Sequence, residues 1–367
     1  MAGFEVLHTD ANSAARLGLL TTASGQLETP IFMPVGTGGA VKGILPEQLA
    51  RTGTAMVLAN TYHLMLRPGI EVVERLGGLH KFMAWEGPIL TDSGGYQVFS
   101  LSRLARIDDD GVEFASHFDG AKTYLNAELA TQIQNRLGAD IITCLDQCTA
   151  FRAQKPQLAE AVDRTIAWAG RCKKAHSNSQ QQLFGIVQGG IDLDMRAYCA
   201  ERLVAIGFDG YAIGGLGLGE GHQNLAATVG ATTARLPENK PRYLMGLGTP
   251  HDIIAAVRAG VDMFDCVLPT RNGRNAFAFT RNGPLRLRNN AHRYASEPVE
   301  AGCECPCCRD FSRATIRHFF TVGEMLGPIL LSLHNLTFYQ RLMAEIRLKI
   351  RSNEFVPWAE QQLNNRG

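Results

Sequence analysis

Three aspartates stand where an apolar run of the chain breaks off: Asp92 in GPILTDSGG, Asp146 in ADIITCLDQC and Asp265 in VDMFDCVLPT. An ionised carboxylate in such a place is costly to desolvate unless it is paired, ligates a metal or meets a substrate. Each could instead cap the helix that follows, a position aspartate favours; three in equivalent places point to chemistry. Gly94 and Gly95, after Asp92, would let the backbone approach a ligand closely. Asp146 and the Gln188 of VQGG supply an acid and an amide, which suit the donor and acceptor edge of a purine-like base. Arginines follow Asp265 at once. That suits a carboxylate nucleophile attacking a sugar carbon whose phosphates are held nearby. Cys266 and Cys148 are rival nucleophiles, but neither has a histidine close in sequence, and a buried small cysteine is the commoner role. Asn60, His63, Ser93 and the Gly214–Gly215 pair fall at the ends of similar runs.

A second group of residues points to a metal. Cys303-x-Cys305-x-x-Cys308 is followed after 25 intervening residues by His334 in a helix-like stretch, 327–346. Three thiolates and one imidazole complete a closed tetrahedral zinc site of the structural kind. By spacing alone Cys307 could replace Cys308, and His318 could replace His334. Between Arg271 and Arg293 lie six arginines (271, 274, 281, 286, 288 and 293) and no acidic residue. Beside a candidate nucleophile, such a strip would hold phosphates; a solvated basic loop is the plainer alternative. Lys173 and Lys174, at a helix end, suit the helix dipole.

Eight apolar runs must position these groups: 29–37, 55–63, 87–95, 139–148, 182–190, 210–220, 241–249 and 261–270. Runs apolar on both faces fit a parallel sheet covered by helices. Amphipathic stretches at 126–138, 155–176 and 252–260 supply such helices. Eight strands alternating with helices predict an α/β fold, the (β/α)8 barrel, whose chemistry sits where strands end and loops begin. A dinucleotide-binding sheet would need G-x-G-x-x-G after its first strand, and GTGGAVKG lacks that spacing. Residues 101–125 carry two turn signals, Asp110-Gly111 and Asp119-Gly120, and read as a β-hairpin inserted after the third strand. The expected division is a barrel over 1–275, a zinc-binding subdomain over 276–335, and a last barrel helix with a tail over 336–367.

Composition bounds the rest. The 367 residues are 45% hydrophobic and 19% charged, which excludes a disordered chain, and 38 glycines without a G-X-Y period exclude collagen. Net charge is +1, so a nucleic-acid partner must be met by a local patch. The N-terminus lacks the basic run and apolar core of a signal peptide. No stretch approaches the ~18 uninterrupted apolar residues of a membrane helix. The expectation is a soluble, cytoplasmic protein with no membrane partner.

With these residues in view the chain resembles the queuine tRNA-ribosyltransferases, or tRNA-guanine transglycosylases, of bacterial type. The matching segments are MPVGTGGAVKG, LANTYHLMLRPG, LTDSGGYQVFSL, FGIVQGG, GYAIGGLGLGE, MGLGTP, MFDCVLPTRNGRN and CECPCC with LHN, in order from about residue 30 to 335. The resemblance implies a (β/α)8 barrel with a zinc subdomain. It implies exchange of the wobble guanine in tRNAs with a GUN anticodon (Tyr, His, Asn, Asp), in queuosine biosynthesis. By matched motif, Asp265 would be the nucleophile on the ribose anomeric carbon, giving a covalent tRNA–enzyme intermediate. Asp92 would be the general acid and then base. Asp146, Gln188 and the Gly215 N–H would read the base edge, beside Ser93. The Leu216 carbonyl would meet a 7-aminomethyl group, and Tyr96 and Met245 would sandwich the ring. Arg271 and Arg274 would contact the anticodon loop. The implied zinc ligands are Cys303, Cys305, Cys308 and His334, one structural Zn2+ per subunit, and the implied assembly is a homodimer.

Departures from the family pattern bear on the incoming base. Bacterial members usually carry glutamate where Gln147 stands and valine where Leu218 stands; eukaryotic members have glycine at the latter position, which admits the cyclopentenediol of queuine. The bulkier leucine predicts the small base 7-aminomethyl-7-deazaguanine (prequeuosine 1). Loss of the carboxylate at Gln147 could alter recognition of the aminomethyl cation. Queuine as incoming base, or a non-catalytic partner subunit, are the alternatives. Such subunits typically lack the catalytic aspartates.

Overall fold

The structure, a computed structural model, describes residues 3–101 and 106–364. Its centre is a sheet of eight parallel strands. In chain order these are Ile31–Pro34, Val57–Asn60, Ile89–Asp92, Ile141–Thr143, Gln182–Val187, Gly210–Ile213, Arg242–Leu244 and Met263–Cys266. Each pairs with its chain neighbour, and the eighth pairs with the first through Met263↔Ile31 to Cys266↔Pro34. The ring closes at one parallel bridge, Val35↔Leu58. All eight expected strands are present, in the expected order, and the fold is the predicted (β/α)8 barrel.

The strand side chains that point inward form an apolar plug that includes Ile31, Met33, Leu58, Leu90, Ile141, Phe184, Ile186, Ala212, Tyr243 and Met263. Each fully buried side chain of this size contributes ~1.5–3 kcal/mol. The outward ones pack against the helices in two larger clusters. An antiparallel meander, Gly3–Thr9, Arg16–Thr22 and Gly25–Thr29, closes the bottom of the barrel with Leu20 and Leu27. Asp140, just before the fourth strand, ties it down by accepting from the backbone of Ser24 and Ile89 and from His80. The meander thus covers the end of the barrel opposite the C-terminal ends of the strands.

The expected helices span Ala127–Leu137, Lys155–Ala175 and Pro250–Arg258. Asn126 and Thr249 cap the first and last of these by accepting from the N–H of the third residue on. The insertion after the third strand contains the expected hairpin, Val112–Ala115 paired with Lys122–Leu125. A further short strand, Arg106–Ile107, extends it to a three-stranded meander. Residues 102–105 of the expected hairpin lie outside the described residues. The two Asp-Gly signals mark two turns, so two turns joining three strands is what they demand. The meander is anchored on the helix Lys155–Ala175, from which Arg164, Trp168 and Arg171 all bond Asp109.

A single helix, Leu326–Arg351, crosses from the cysteine cluster to the barrel. Gln340 donates to the Phe32 carbonyl of the first strand, Arg347 to that of Pro30 just before it, and Tyr339 to Gly248. Among the described residues no helix is long and apolar enough to cross a membrane.

Candidate active site and metal centre

Parallel pairing carries residues far apart in sequence to one end of the barrel. Asp92 is the last residue of the third strand, Asp265 lies in the eighth, and Asn60 ends the second in register with Asp92. Asp146, Gln188, Gly214–Gly215 and Met245 follow strands four to seven directly. The sequence-derived candidates therefore share the open rim.

The two end-strand carboxylates differ in what holds them. Asp92 is saturated: Oδ2 accepts from Asn60 Nδ2 and Gln97 Nε2 (2.9 Å), and Oδ1 from the Thr61 N–H (3.0 Å). Desolvation nevertheless outweighs these donors and pushes its pKa up to about 6, with Asp265 adding a smaller rise. Asp265 is held on one side only. Its Oδ1 accepts from the Tyr243 hydroxyl (2.5 Å) and the Gly246 N–H (2.7 Å). Among the described residues Oδ2 makes no hydrogen bond, which leaves one oxygen free to attack. Burial raises the Asp265 pKa above the ordinary carboxylate value, and the Tyr243 and Gly246 donors oppose the rise.

Both rival thiols are buried. Burial pushes Cys266 up to about 12, and burial followed by the neighbouring Asp146 raises Cys148 well above the ordinary thiol value. A thiol without thiolate is a poor nucleophile, which weighs against both cysteines.

Asp146 and Gln188 meet across the rim, with Gln188 Nε2 donating to Asp146 Oδ2 at 2.6 Å. Ser93 Oγ approaches Oδ1 at 3.5 Å, and Cys148 Sγ donates to Oδ2 at 3.6 Å. Burial raises the Asp146 pKa. Two glycines make this arrangement possible. A Cβ on Gly95 would lie 2.7 Å from the Asp146 carbonyl, and one on Gly215, whose φ is +68°, would collide with Gln188 Oε1. Leu216 is buried, Met245 is half-buried, and the Tyr96 ring is exposed at 47%. An acceptor-rich and donor-bearing edge beside an exposed aromatic ring is able to bind a planar, polar, base-sized ligand.

Four positioning residues escaped the sequence reading. Tyr243 lies inside an apolar strand, where a fully buried phenol needs a partner, and that is the only signal it gave. Gln97 lies one turn along from Gly94-Gly95. Glu220 accepts from the N–H groups of Gly217, Leu218 (2.9 Å) and Gly219 (3.1 Å), and so clamps the loop that contains Leu218. Arg196, 1% exposed, donates to the carbonyls of Val187 (3.0 Å), Gly190 (2.8 Å) and Gly214 (2.8 Å). It binds the Gln188 loop to the Gly214–Gly215 loop, and desolvation lowers its pKa to about 10. Gln147 turns away from Asp146, with its Oε1 accepting from Arg164 at 2.7 Å. His63 packs edge-on against His117 at 5.5 Å, and burial lowers its pKa.

Arg271 and Arg274 project from the short helix Leu268–Arg274 that follows the eighth strand. Arg271 is exposed; Arg274 is half-buried, with its NH1 atom buried and unpartnered and its pKa lowered by desolvation and by Arg271. Two adjacent guanidinium groups, one short of acceptors, are suited to an anion. The rest of the arginine strip is less uniform in space than in sequence: Arg281 pairs with Glu345 (3.3 Å), and Arg288 donates to the Phe320 carbonyl (3.2 Å).

The metal candidates converge. Sγ of Cys303, Cys305 and Cys308 lie 3.8, 3.7 and 3.2 Å from His334 Nδ1, and all four residues are buried. A tetrahedral zinc with ordinary bond lengths requires S···N edges of about 3.5 Å, so the set fits. His334 Nε2 bonds the Phe279 carbonyl at 2.8 Å, which fixes the tautomer and leaves Nδ1 as ligand. His318 is exposed and Cys307, though buried, stands outside the cluster, so both spacing alternatives fall away. The neighbouring Asn335 clamps the approach by bonding Pro269, Phe277 and Phe279.

Comparison with known proteins agrees with this geometry. Residues 10–367 match the family model described as Queuine tRNA-ribosyltransferase. Curated proteins named queuine tRNA-ribosyltransferase are similar over almost the full length. That of Syntrophobacter fumaroxidans is 50% identical over 355 residues, covering 97% of this chain and 95% of the relative. That of Thiobacillus denitrificans is 49% identical over 352 residues, covering 96% and 95%. That of Caldanaerobacter subterraneus subsp. tengcongensis is 49% identical over 361 residues, covering 98% and 96%.

Proposed function

The chain belongs to the queuine tRNA-ribosyltransferase family of pentosyltransferases, and from that premise we propose that it exchanges the wobble guanine of GUN-anticodon tRNAs for 7-aminomethyl-7-deazaguanine, as a step of queuosine biosynthesis in the cytoplasm. The observation that carries the mechanism is the asymmetry of the two carboxylates: Asp265 with one free oxygen, Asp92 with a pKa near 6.

In the first half-reaction Asp265 Oδ2 attacks C1′ of the ribose, the C1′–N9 bond breaks, and its electron pair leaves with guanine. Asp92 in its protonated form gives guanine the proton it needs. The product is an aspartyl ester of the tRNA. In the second half the ionised Asp92 removes a proton from the incoming base, whose nitrogen attacks C1′ and restores the Asp265 carboxylate. The exchange balances one glycosidic bond against another, so it needs no nucleotide energy source. Tyr243 and Gly246 orient the nucleophile. Asp146, Gln188 and the Gly215 N–H read the base edge once the ligand displaces the Asp146–Gln188 hydrogen bond. Ser93 lines the pocket beside them, the Leu216 carbonyl receives the aminomethyl group, and Tyr96 and Met245 enclose the ring. Arg271 and Arg274 take the anticodon backbone.

The choice of the small base rests on Leu218, held in its loop by Glu220. Gln147 is engaged by Arg164, which supports the view that losing a carboxylate there leaves recognition of the aminomethyl group unaffected. Zinc in the Cys303–Cys305–Cys308–His334 set is structural: four protein ligands leave no open position. The partners proposed are tRNA, the bases, and a second copy of the chain in a homodimer.

The test is release of labelled guanine from a tRNA-Tyr transcript, with 7-aminomethyl-7-deazaguanine or queuine offered. Release with the smaller base alone, and loss of acid-stable tRNA capture in Asp265→Ala, are expected. Release with queuine refutes the Leu218 argument; no release with either refutes the transferase reading in favour of a non-catalytic subunit.

A further inference from the structure

The reaction above leaves one cluster at the barrel mouth without a task. His222 and Asp252 stand on the first turns of two neighbouring helices, Gly221–Thr233 and Pro250–Arg258, and His251 precedes Asp252. One ligand atom from each of the three lies within 4.8 Å of the other two. His222 Nδ1 is 2.6 Å from Asp252 Oδ1, and the two imidazole rings lie 4.7 Å apart at their centroids.

A His222–Asp252 ion pair explains only part of this. The Nδ1 atom of His251 is buried and has no hydrogen-bond partner, a state that native structures rarely leave unmet. The pair also does not explain why two imidazoles converge on one carboxylate. Asp252 is buried at 4% exposure, and its Oδ2 accepts from the Thr249 hydroxyl at 2.6 Å, which fixes Oδ1 towards the imidazoles. A carboxylate oriented by an outer hydrogen bond is the usual support for a ligating group. His222 is 62% exposed, so solvent can complete a coordination sphere from the open side.

We propose that His222, His251 and Asp252 form a second divalent-metal site at the mouth of the barrel, separate from the Cys3His set. Two imidazoles and one carboxylate are the ligands of a borderline transition ion such as Zn2+, Ni2+ or Co2+, not of Mg2+ or Ca2+, which take oxygen cages. The ion would tie the loop 214–220, which carries Gly215, Leu216 and Leu218, to the segment 246–249. These already touch: a Cβ on Gly217 would lie 2.8 Å from Leu247. The site is independent of the transferase reading and stands or falls by metal binding alone.

The test is titration calorimetry of the untagged full chain, with its Cys3His site already loaded with zinc, using Ni2+ as probe. One further site per chain is expected, with affinity reduced by at least about tenfold in His222→Ala and in His251→Ala, since even outer partners of a metal ligand are worth that much. His222 is largely exposed, so its truncation leaves the fold intact, which the unchanged zinc content of the variant checks. No further site, or one that both variants leave unchanged, overturns the proposal; the first outcome means an ion pair only.

Discussion

Replacing Asp92 by asparagine separates the stability of the site from its chemistry. At neutral pH the buried Asp92 carboxylate is ionised although its pKa has risen from 3.8 to about 6. A rise of about two units at ~1.4 kcal/mol each means that ionisation destabilises the folded state by about 3 kcal/mol. Asparagine removes that penalty. It also loses part of the donor network, because three N–H groups point at the carboxylate and an amide has only one acceptor atom. Its NH2 must face at least one of them, and a buried donor left unmatched costs ~1–3 kcal/mol. The two effects nearly cancel, so Asp92→Asn should be within about 2 kcal/mol of the parent at pH 7.5. The sign depends on pH. A carboxyl whose folded pKa is raised contributes stability below its unfolded value that is lost as pH rises through the folded one. The parent should therefore gain about 3 kcal/mol on the variant as pH falls from above 6 to below 4. Guanine release, by contrast, should fall by 10²–10⁴, the range of a lost general acid. In the parent, first-half-reaction rates should decline above pH 6, since at pH 7 only about one molecule in ten is protonated there. Urea unfolding across pH and single-turnover release at pH 5.5–8.5 read both. A variant more than about 4 kcal/mol less stable at neutral pH would refute the electrostatic reasoning; release within tenfold of the parent would refute the acid assignment.

Three further outcomes follow from the same geometry. Tyr243→Phe removes one of the two donors that orient Asp265, and misplacing a reacting group costs up to about 100-fold, so ester formation should slow by about 10–100-fold with little change in tRNA affinity; an unchanged rate would remove Tyr243 from the mechanism. Loss of the metal by His334→Ala or by chelation should unfold the segment carrying the cysteines and lower the Tm, with zinc content by mass spectrometry falling from one per chain to none; a metal-free protein of unchanged Tm would show that the cluster is not structural. Asp140, whose pKa is held below the ordinary value by His80 and by the Ile89 and Ser24 donors against the burial that opposes them, contributes stability above its unfolded pKa that is lost as pH falls through the folded one. Asp140→Asn should therefore destabilise the fold at pH 7 and cost progressively less below about pH 4, by denaturant titration.

Much of this molecule is written locally. Eight runs apolar on both faces can be satisfied only by a sheet covered on both faces, and their polar terminators fall at the strand ends because a strand stops where its side chains cease to be buried. The Cys-x-Cys-x-x-Cys spacing is equally local, since three thiolates that close together have few other uses. The tertiary structure decided what depends on residues brought together by ring closure. The arginines that follow Asp265 marked it out in sequence, but not which of its oxygens is free; Tyr243 and Gly246, 22 and 19 positions earlier, take Oδ1 from the adjacent strand. His334 and His318 could not be separated by spacing, and the burial of one against Phe279 and the exposure of the other settle it. A strip of arginines with no acidic residue between them became a mixed surface once Glu345 arrived from a helix, 64 positions from Arg281. Residue type and period fix what each segment can bury, but charge pairing and pKa depend on distances between segments, and only the closed barrel sets those.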